Sequence, residues 1–163
     1  FTEIKSMSSE IQPSSHLSSQ TLRIGVVAAQ FNRSLIESLL GRVTECLAQN
    51  GKPEFILIER VPGSNEIPSA LSLLLQAQTF SCMIGLGVVI KGTTSHHHLV
   101  AESAGNAIQS LVVKFNVPII NGIIVTDTIK DAEERITGDL DRGHEFAQAA
   151  MEMGHLYKKW TKI

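Results

Sequence analysis

The stretch at positions 81–100, SCMIGLGVVIKGTTSHHHLV, carries the residues best suited to do chemistry. Its apolar run from Met83 to Ile90 has the length, the glycines and the Val/Ile content of a buried strand, and it breaks at Lys91-Gly92. A helix is expected directly afterwards. Gly92, Thr93, Thr94 and Ser95 would then place hydroxyls and backbone N–H groups at a helix N-terminus, whose partial positive charge favours an anion such as phosphate. His96 follows on the first turn, where an imidazole can move protons near neutral pH. The pattern points to a phosphorylated substrate and acid–base chemistry. The same turn also occurs in α/β proteins that bind nothing, and a histidine near a helix start often only packs. Consecutive histidines, His96 to His98, point in directions about 100° apart on a helix and cannot chelate together, so no metal is expected.

Three further segments offer partners. Phe31 sits among polar residues directly after an expected strand, where a ring either stacks on a planar heterocycle or packs inward. Ser64, Asn65 and Glu66 open a helix between Pro62 and Pro68; Glu66 either complements the helix dipole or offers a fixed acceptor to hydroxyls and amines. Arg135 ends a charged run that is most simply a solvated face, although a guanidinium is also the preferred bidentate partner of phosphate.

The elements that must position these residues follow from periodicity. Strands are expected over Leu22–Ala29, Phe55–Val61, Met83–Ile90 and Val117–Val125. Ile36, Leu39, Leu40, Val43 and Leu47 mark a helix that Asn50-Gly51 stops, and Ile67, Leu71, Leu74 and Leu75 mark a second. Val100, Ala104, Ile108, Leu111 and Phe115 stripe a third. A short helix over Ile129–Arg135 is capped by Thr126-Asp127-Thr128; a polar turn at Thr137–Gly143 and a last helix bearing Phe146, Ala150, Met153, Tyr157 and Trp160 complete the domain. Four alternations of strand and helix call for a three-layer α/β/α sandwich around a four-stranded parallel sheet. All the strand-to-helix loops then emerge at the carboxyl edge of the sheet, where such folds bind ligands.

Bulk properties narrow the function classes. The 163 residues suit one domain, expected over residues 21–163, and 43% hydrophobic content with mixed charge suits a globular protein. A net charge of −2 gives no electrostatic footprint for nucleic acid, and no apolar run approaches the length of a membrane span. Cys46 and Cys82 show neither metal spacing nor a disulfide framework, as expected of packing residues in a reducing, cytoplasmic setting. Residues 1–20, with seven serines and Pro13, read as an arm rather than core; a leftover of a transit segment stays open, with Glu3 and Glu10 against it.

The segments RIGVVAAQFN, VPGSNEIP, GLGVVIKGTTSH, VPIINGIIVTDT and ERITGDLDRG, in this order and spacing, resemble the 6,7-dimethyl-8-ribityllumazine synthases of riboflavin biosynthesis, from about Leu22 to Leu156. The resemblance implies a flavodoxin-like fold assembling as pentamers or multiples of pentamers, and a cofactor-free transferase. Its reaction condenses 5-amino-6-(D-ribitylamino)uracil with 3,4-dihydroxy-2-butanone 4-phosphate to give the lumazine, phosphate and water. It implies that Phe31 stacks on the pyrimidine, that Ser64 and Glu66 hold the ribityl chain and ring, and that Asn65 lies in the ring pocket. Val89 and Ile90 would give backbone contacts. Gly92, Thr93 and Thr94 would bind phosphate with Arg135, and His96 would shuttle protons. It also implies sites at the junction of two subunits, with Asn121 and Arg135 supplied by the neighbour, and brings riboflavin synthase into view as a partner.

Three segments depart from the family's usual pattern. Asn65 and Asn121 stand where aromatic residues are usual, making the ring pocket more polar. His97 and His98 replace an aromatic and acidic pair, and DLDRG, with Arg142, replaces GNKG. The asparagines motivate an alternative, a catalytically weak shell-forming or flavin-binding relative; intact His96, Glu66 and Arg135 oppose it. A flavodoxin-like nucleotide binder is disfavoured because no Walker motif or GxGxxG follows a strand.

Overall fold

The computed structural model describes residues 18–93 and 96–161. The elements run β1 (Arg23–Ala29), α1 (Arg33–Gln49), β2 (Phe55–Val61), a 3₁₀ turn (Ser64–Glu66), α2 (Ile67–Ala77), β3 (Cys82–Ile90), α3 (His96–Phe115), β4 (Ile119–Thr126), α4 (Ile129–Thr137) and α5 (Arg142–Thr161). The four strands form one parallel sheet in the order β2-β1-β3-β4, with which the flavodoxin-like order begins. Leaving β1, the chain steps outward to β2, then crosses back over β1 to β3 and continues to β4. Right-handed crossovers in opposite directions place their helices on opposite faces. Accordingly α2 and α3 pack together on one face, while α1 packs with α4 and α5 on the other.

Burial follows strand position. The central strands β1 and β3 are buried almost throughout, because helices cover both faces. The edge strand β2 alternates, leaving Ile56 and Ile58 exposed on one side. The core joins Val26, Ile84 and Leu86 of the sheet to Leu39 and Val43 of α1, Leu71 of α2, Ile108 of α3 and Met151 of α5. Both thiols sit within this packing. Burial pushes the Cys82 thiol up to about 12; burial, with the Asp141 and Glu45 carboxylates adding to it, pushes Cys46 up to about 11. A thiol so raised is protonated and unreactive at neutral pH.

Element bounds differ from the sequence reading at places with clear physical causes. The fourth strand begins at Ile119, not Val117: the Pro118 carbonyl accepts from Met83 N at 2.9 Å, but proline has no N–H to continue the ladder. Its continuous Val/Ile run would suit a strand covered on both faces, yet β4 is an edge strand in which Ile119, Ile124 and Thr126 are buried while Asn121 is exposed and Ile120, Ile123 and Val125 are half-buried. The short helix extends past Arg135 to Thr137, and the Thr128 hydroxyl caps it by accepting from Asp131 N at 3.1 Å. The expected turn at Thr137–Gly143 is shorter, because Arg142 and Gly143 already belong to α5.

Helix ends use left-handed residues where the sequence placed stops. Gly51, at φ 95°, follows α1, and Asn116, at φ 54°, follows α3 with its N–H donating to Val112 O at 2.9 Å. Residues 1–17 of the expected arm lie outside the described residues. Ser19 is fully buried: its N–H donates to Asn50 O at 2.8 Å and its hydroxyl to Leu47 O at 2.6 Å and to Gly51 O. Lys158 of α5 donates to Thr21 O at 3.0 Å. No helix among the described residues is long and apolar enough to cross a membrane.

Gly143 shows why a glycine read as a turn residue is needed inside a helix. A Cβ there would lie 2.6 Å from Arg42 Cβ and 3.1 Å from Leu39 O, so α5 meets α1 at a distance only glycine permits. Gly143→Val is therefore expected to lose about 1–3 kcal/mol of stability through overpacking. Urea unfolding monitored by circular dichroism measures it, and an unchanged midpoint would show that the helices can part without cost.

Candidate active site

A cleft of about 400 Å³ opens at the carboxyl ends of β1, β2 and β3. Phe31 and Asn32 after β1, Gly63 to Glu66 after β2, Val88 to Ile90 and Gly92 at the end of β3, and His96, His97 and Val100 of α3 line it. Strand order explains the location. Successive connections leave in opposite directions from β1, so the loops after β1 and β3 diverge and leave a crevice between them.

Each lining segment is held by local chemistry. Phe31 is 73% exposed, so its ring is a surface of the cleft and not part of the core. The strand-like course of β1 continues into this loop, since Gln30 N donates to Val61 O at 2.8 Å and Phe31 N to Pro62 O at 3.0 Å. Asn32 then adopts the left-handed conformation, φ 62° and ψ 48°, and starts α1. Across the cleft, Glu66 folds back so that its carboxylate accepts from Gly63 N at 3.0 Å, while Glu66 N donates to Gly63 O at 3.2 Å. This reciprocal pair fixes the acceptor before any ligand arrives. Pro68 at the start of α2 lacks only an N–H that has no helical partner there.

Ser64 is 7% exposed and lies against β3 at Gly87. A Cβ on Gly87 would also fall 3.3 Å from Ile67 Cδ1, so the bare backbone of this strand residue is what admits the β2 loop. His96 opens α3 and is exposed, whereas His97 is 6% exposed, with its ring centroid 3.8 Å from that of His98.

The structure divides the sequence-derived set in two. Phe31, Ser64, Asn65, Glu66, Val89, Ile90, Gly92 and His96 share the cleft. Thr93 is exposed on the connecting loop and is not among the lining residues, and Thr94 lies outside the described residues. Asn121 and Arg135 line a second cleft, about 370 Å³, with Ile123, Ile124, Val125, Arg142 and Phe146, and the two clefts have no residue in common. There Arg135 Nη1 donates to Val125 O at 3.4 Å, and Arg142 pairs with Glu145 at 2.8 Å.

Reasoning from the sequence placed Asn32 in a loop at the carboxyl edge but gave no site role to Asn32, Val88, His97 or Val100, all of which line the cleft. Val100 reads as one more member of an apolar helix stripe, and nothing local separates its end-of-helix position from core. Asn32 had a usable signal: an asparagine at a strand-to-helix junction tolerates positive φ and carries both a donor and an acceptor.

Fold and cleft together define an α/β protein with a cleft at the carboxyl edge of its parallel sheet, lined by an exposed aromatic ring, a fixed carboxylate and an imidazole at a helix start. The family model for 6,7-dimethyl-8-ribityllumazine synthase matches residues 21–158. The 6,7-dimethyl-8-ribityllumazine synthase of Aquifex aeolicus (strain VF5) is 35% identical over 144 residues, which is 87% of this chain and 94% of that protein. The chain belongs to the 6,7-dimethyl-8-ribityllumazine synthase family.

The contact between Ser64 and Gly87 yields a site-level prediction. Gly87→Ala should displace Ser64 and the β2 loop, costing about 1–3 kcal/mol in the fold and narrowing the cleft. Urea unfolding monitored by circular dichroism measures the cost; an unchanged midpoint would mean that Ser64 and the β2 loop move aside freely and that Gly87 does not set the cleft's shape.

Proposed function

We propose that this chain catalyses the condensation of 5-amino-6-(D-ribitylamino)uracil with 3,4-dihydroxy-2-butanone 4-phosphate, releasing 6,7-dimethyl-8-ribityllumazine, phosphate and water. Family membership supports it. The observation that carries it is the convergence of Phe31, Ser64, Glu66, Val89, Ile90 and His96 from four separate segments on one cleft. The reaction forms an imine, expels phosphate and closes a ring, so it needs two substrates held together and protons moved between them. In this reading the exposed Phe31 ring stacks on the planar pyrimidine, and the Glu66 carboxylate accepts from ligand N–H or O–H groups. The ends of β3 at Val89 and Ile90 offer backbone groups to the ring. Gly92, Thr93 and Thr94 bind the phosphate, and His96 relays protons.

Residues 21–163 act as one cytoplasmic domain behind the arm at residues 1–20, and copies assemble as ring pentamers. The separation of Asn121 and Arg135 into a second cleft supports a shared site, in which one copy supplies His96 and its neighbour Arg135. The guanidinium would then meet the phosphate at the subunit junction. Repetition of such a heterologous contact closes a ring.

Mixing the purified protein with both substrates tests the activity through the appearance of lumazine fluorescence; its absence above the uncatalysed background would refute the proposal. His96→Gln should lower turnover roughly 10- to 1000-fold, with the uncatalysed condensation setting the floor. Wild-type turnover in this variant would remove the histidine from the proton relay.

The shared site has its own test. Inactive His96→Ala and Arg135→Ala subunits, unfolded and refolded together, should regain activity, because roughly a quarter of junctions in randomly mixed rings pair an intact His96 with an intact Arg135. Mixed rings no more active than either variant alone would place all the reacting groups within one chain.

A further inference from the structure

Asn32 occupies the point where the sheet comes apart. Pairing between β1 and β3 ends at Ala28 with Leu86, although both strands continue. Beyond that point β1 and its loop stay with β2, through Ala29 opposite Val61 and the N–H groups of Gln30 and Phe31. β3 stays with β4, through Ile90 opposite Thr126 and Lys91 N donating to Thr126 O at 2.9 Å. The cleft opens in the gap between these two halves, with Phe31 on the β1 side and Val88 to Ile90 on the other. Val88, 2% exposed, would turn its carbonyl toward the strand that has departed. The Asn32 side chain takes that place: its Nδ2 donates to Val88 O at 2.8 Å. The left-handed backbone of Asn32 is what turns the amide back across the gap.

We infer that Asn32 is a positioning residue that sets the width of the ring slot by tying the Phe31 loop to the end of β3. The inference rests on the cleft being the pyrimidine site proposed above. A flat ring held between Phe31 on one side and the backbone of Val89 and Ile90 on the other is sensitive to that width, whereas a phosphate at Gly92 and Thr93 is not. Loss of the tie therefore weakens one substrate selectively. A residue that served only the fold would instead affect both substrates along with thermal stability.

Two variants separate the amide from the backbone. Asn32→Gly keeps easy access to positive φ and removes the donor. Asn32→Asp keeps size and shape, but an ionised carboxylate can only accept and would face the Val88 carbonyl as a second acceptor. Steady-state kinetics, varying each substrate in turn, should give a KM for the pyrimidine raised about 5- to 30-fold in both variants, the scale of one lost buried hydrogen bond. The KM for the butanone phosphate and kcat at saturation should stay near wild type, while the thermal midpoint falls by the few degrees that an unpaired Val88 carbonyl costs. If wild type makes lumazine while both variants keep its pyrimidine KM, or weaken both substrates equally, the inference falls and the activity stands. If wild type neither binds the pyrimidine nor converts it, the proposed function falls and takes the inference with it. Should Asn32→Gly fail to fold, Asn32→Asp decides; failure of both to fold would make Asn32 a stability residue and overturn the positioning role.

Discussion

The site of this protein depends on a parting of its sheet. Parallel strands hold together by a continuous ladder, and β1 and β3 share one only as far as Ala28 and Leu86. Because β1 sends its chain outward to β2 while β3 sends its chain the other way to β4, nothing in the ladder joins the loops that follow them. The crevice is a topological necessity of the strand order, and its walls are the carboxyl ends of the two best-buried strands. Buried core strands thus run directly into the cleft.

What fills the walls is set by small steric and hydrogen-bonding decisions. Gly87 leaves room for the loop that carries Ser64 and Glu66, and Glu66 is held by the backbone of its own turn. The carboxylate is therefore explained twice, as a cap and as an acceptor. A carboxylate oxygen has more than one lone pair, and the bond to Gly63 N–H uses one of them. A group held in this way serves the turn and still presents an acceptor to the cleft.

The distribution of charge over two clefts organises the proposed assembly. The described cleft at the carboxyl edge has Glu66 and imidazoles but no guanidinium among its lining residues. The cleft beside β4 has Arg135 and Arg142 and no acidic lining residue. In the proposed assembly the two kinds of wall would meet at the junction of two copies, and Asn121 on the edge strand β4 is exposed. Arg142 enters that cleft already paired with Glu145, which limits its freedom to swing.

The sequence by itself determined the elements, the parallel sheet and most of the cleft's chemistry. Periodicity is a local property, and the strands at Arg23–Ala29, Phe55–Val61 and Cys82–Ile90 and the helix stripes follow from it almost to the residue. Five ordered segments also made the family legible: four follow strands into the loops after them, and the fifth joins the end of α4 to the start of α5. Tertiary structure decided what spacing along the chain cannot encode. It made β4 an edge although its Val/Ile run reads as buried, since strand order follows from crossover direction and not from composition. It packed Gly143, inside α5, against Arg42, about a hundred residues earlier, where only glycine fits. It exposed Phe31, which the sequence left balanced between core and cleft. It also gave Asn32 a partner in Val88, 56 residues away, which only folding brings within hydrogen-bonding distance.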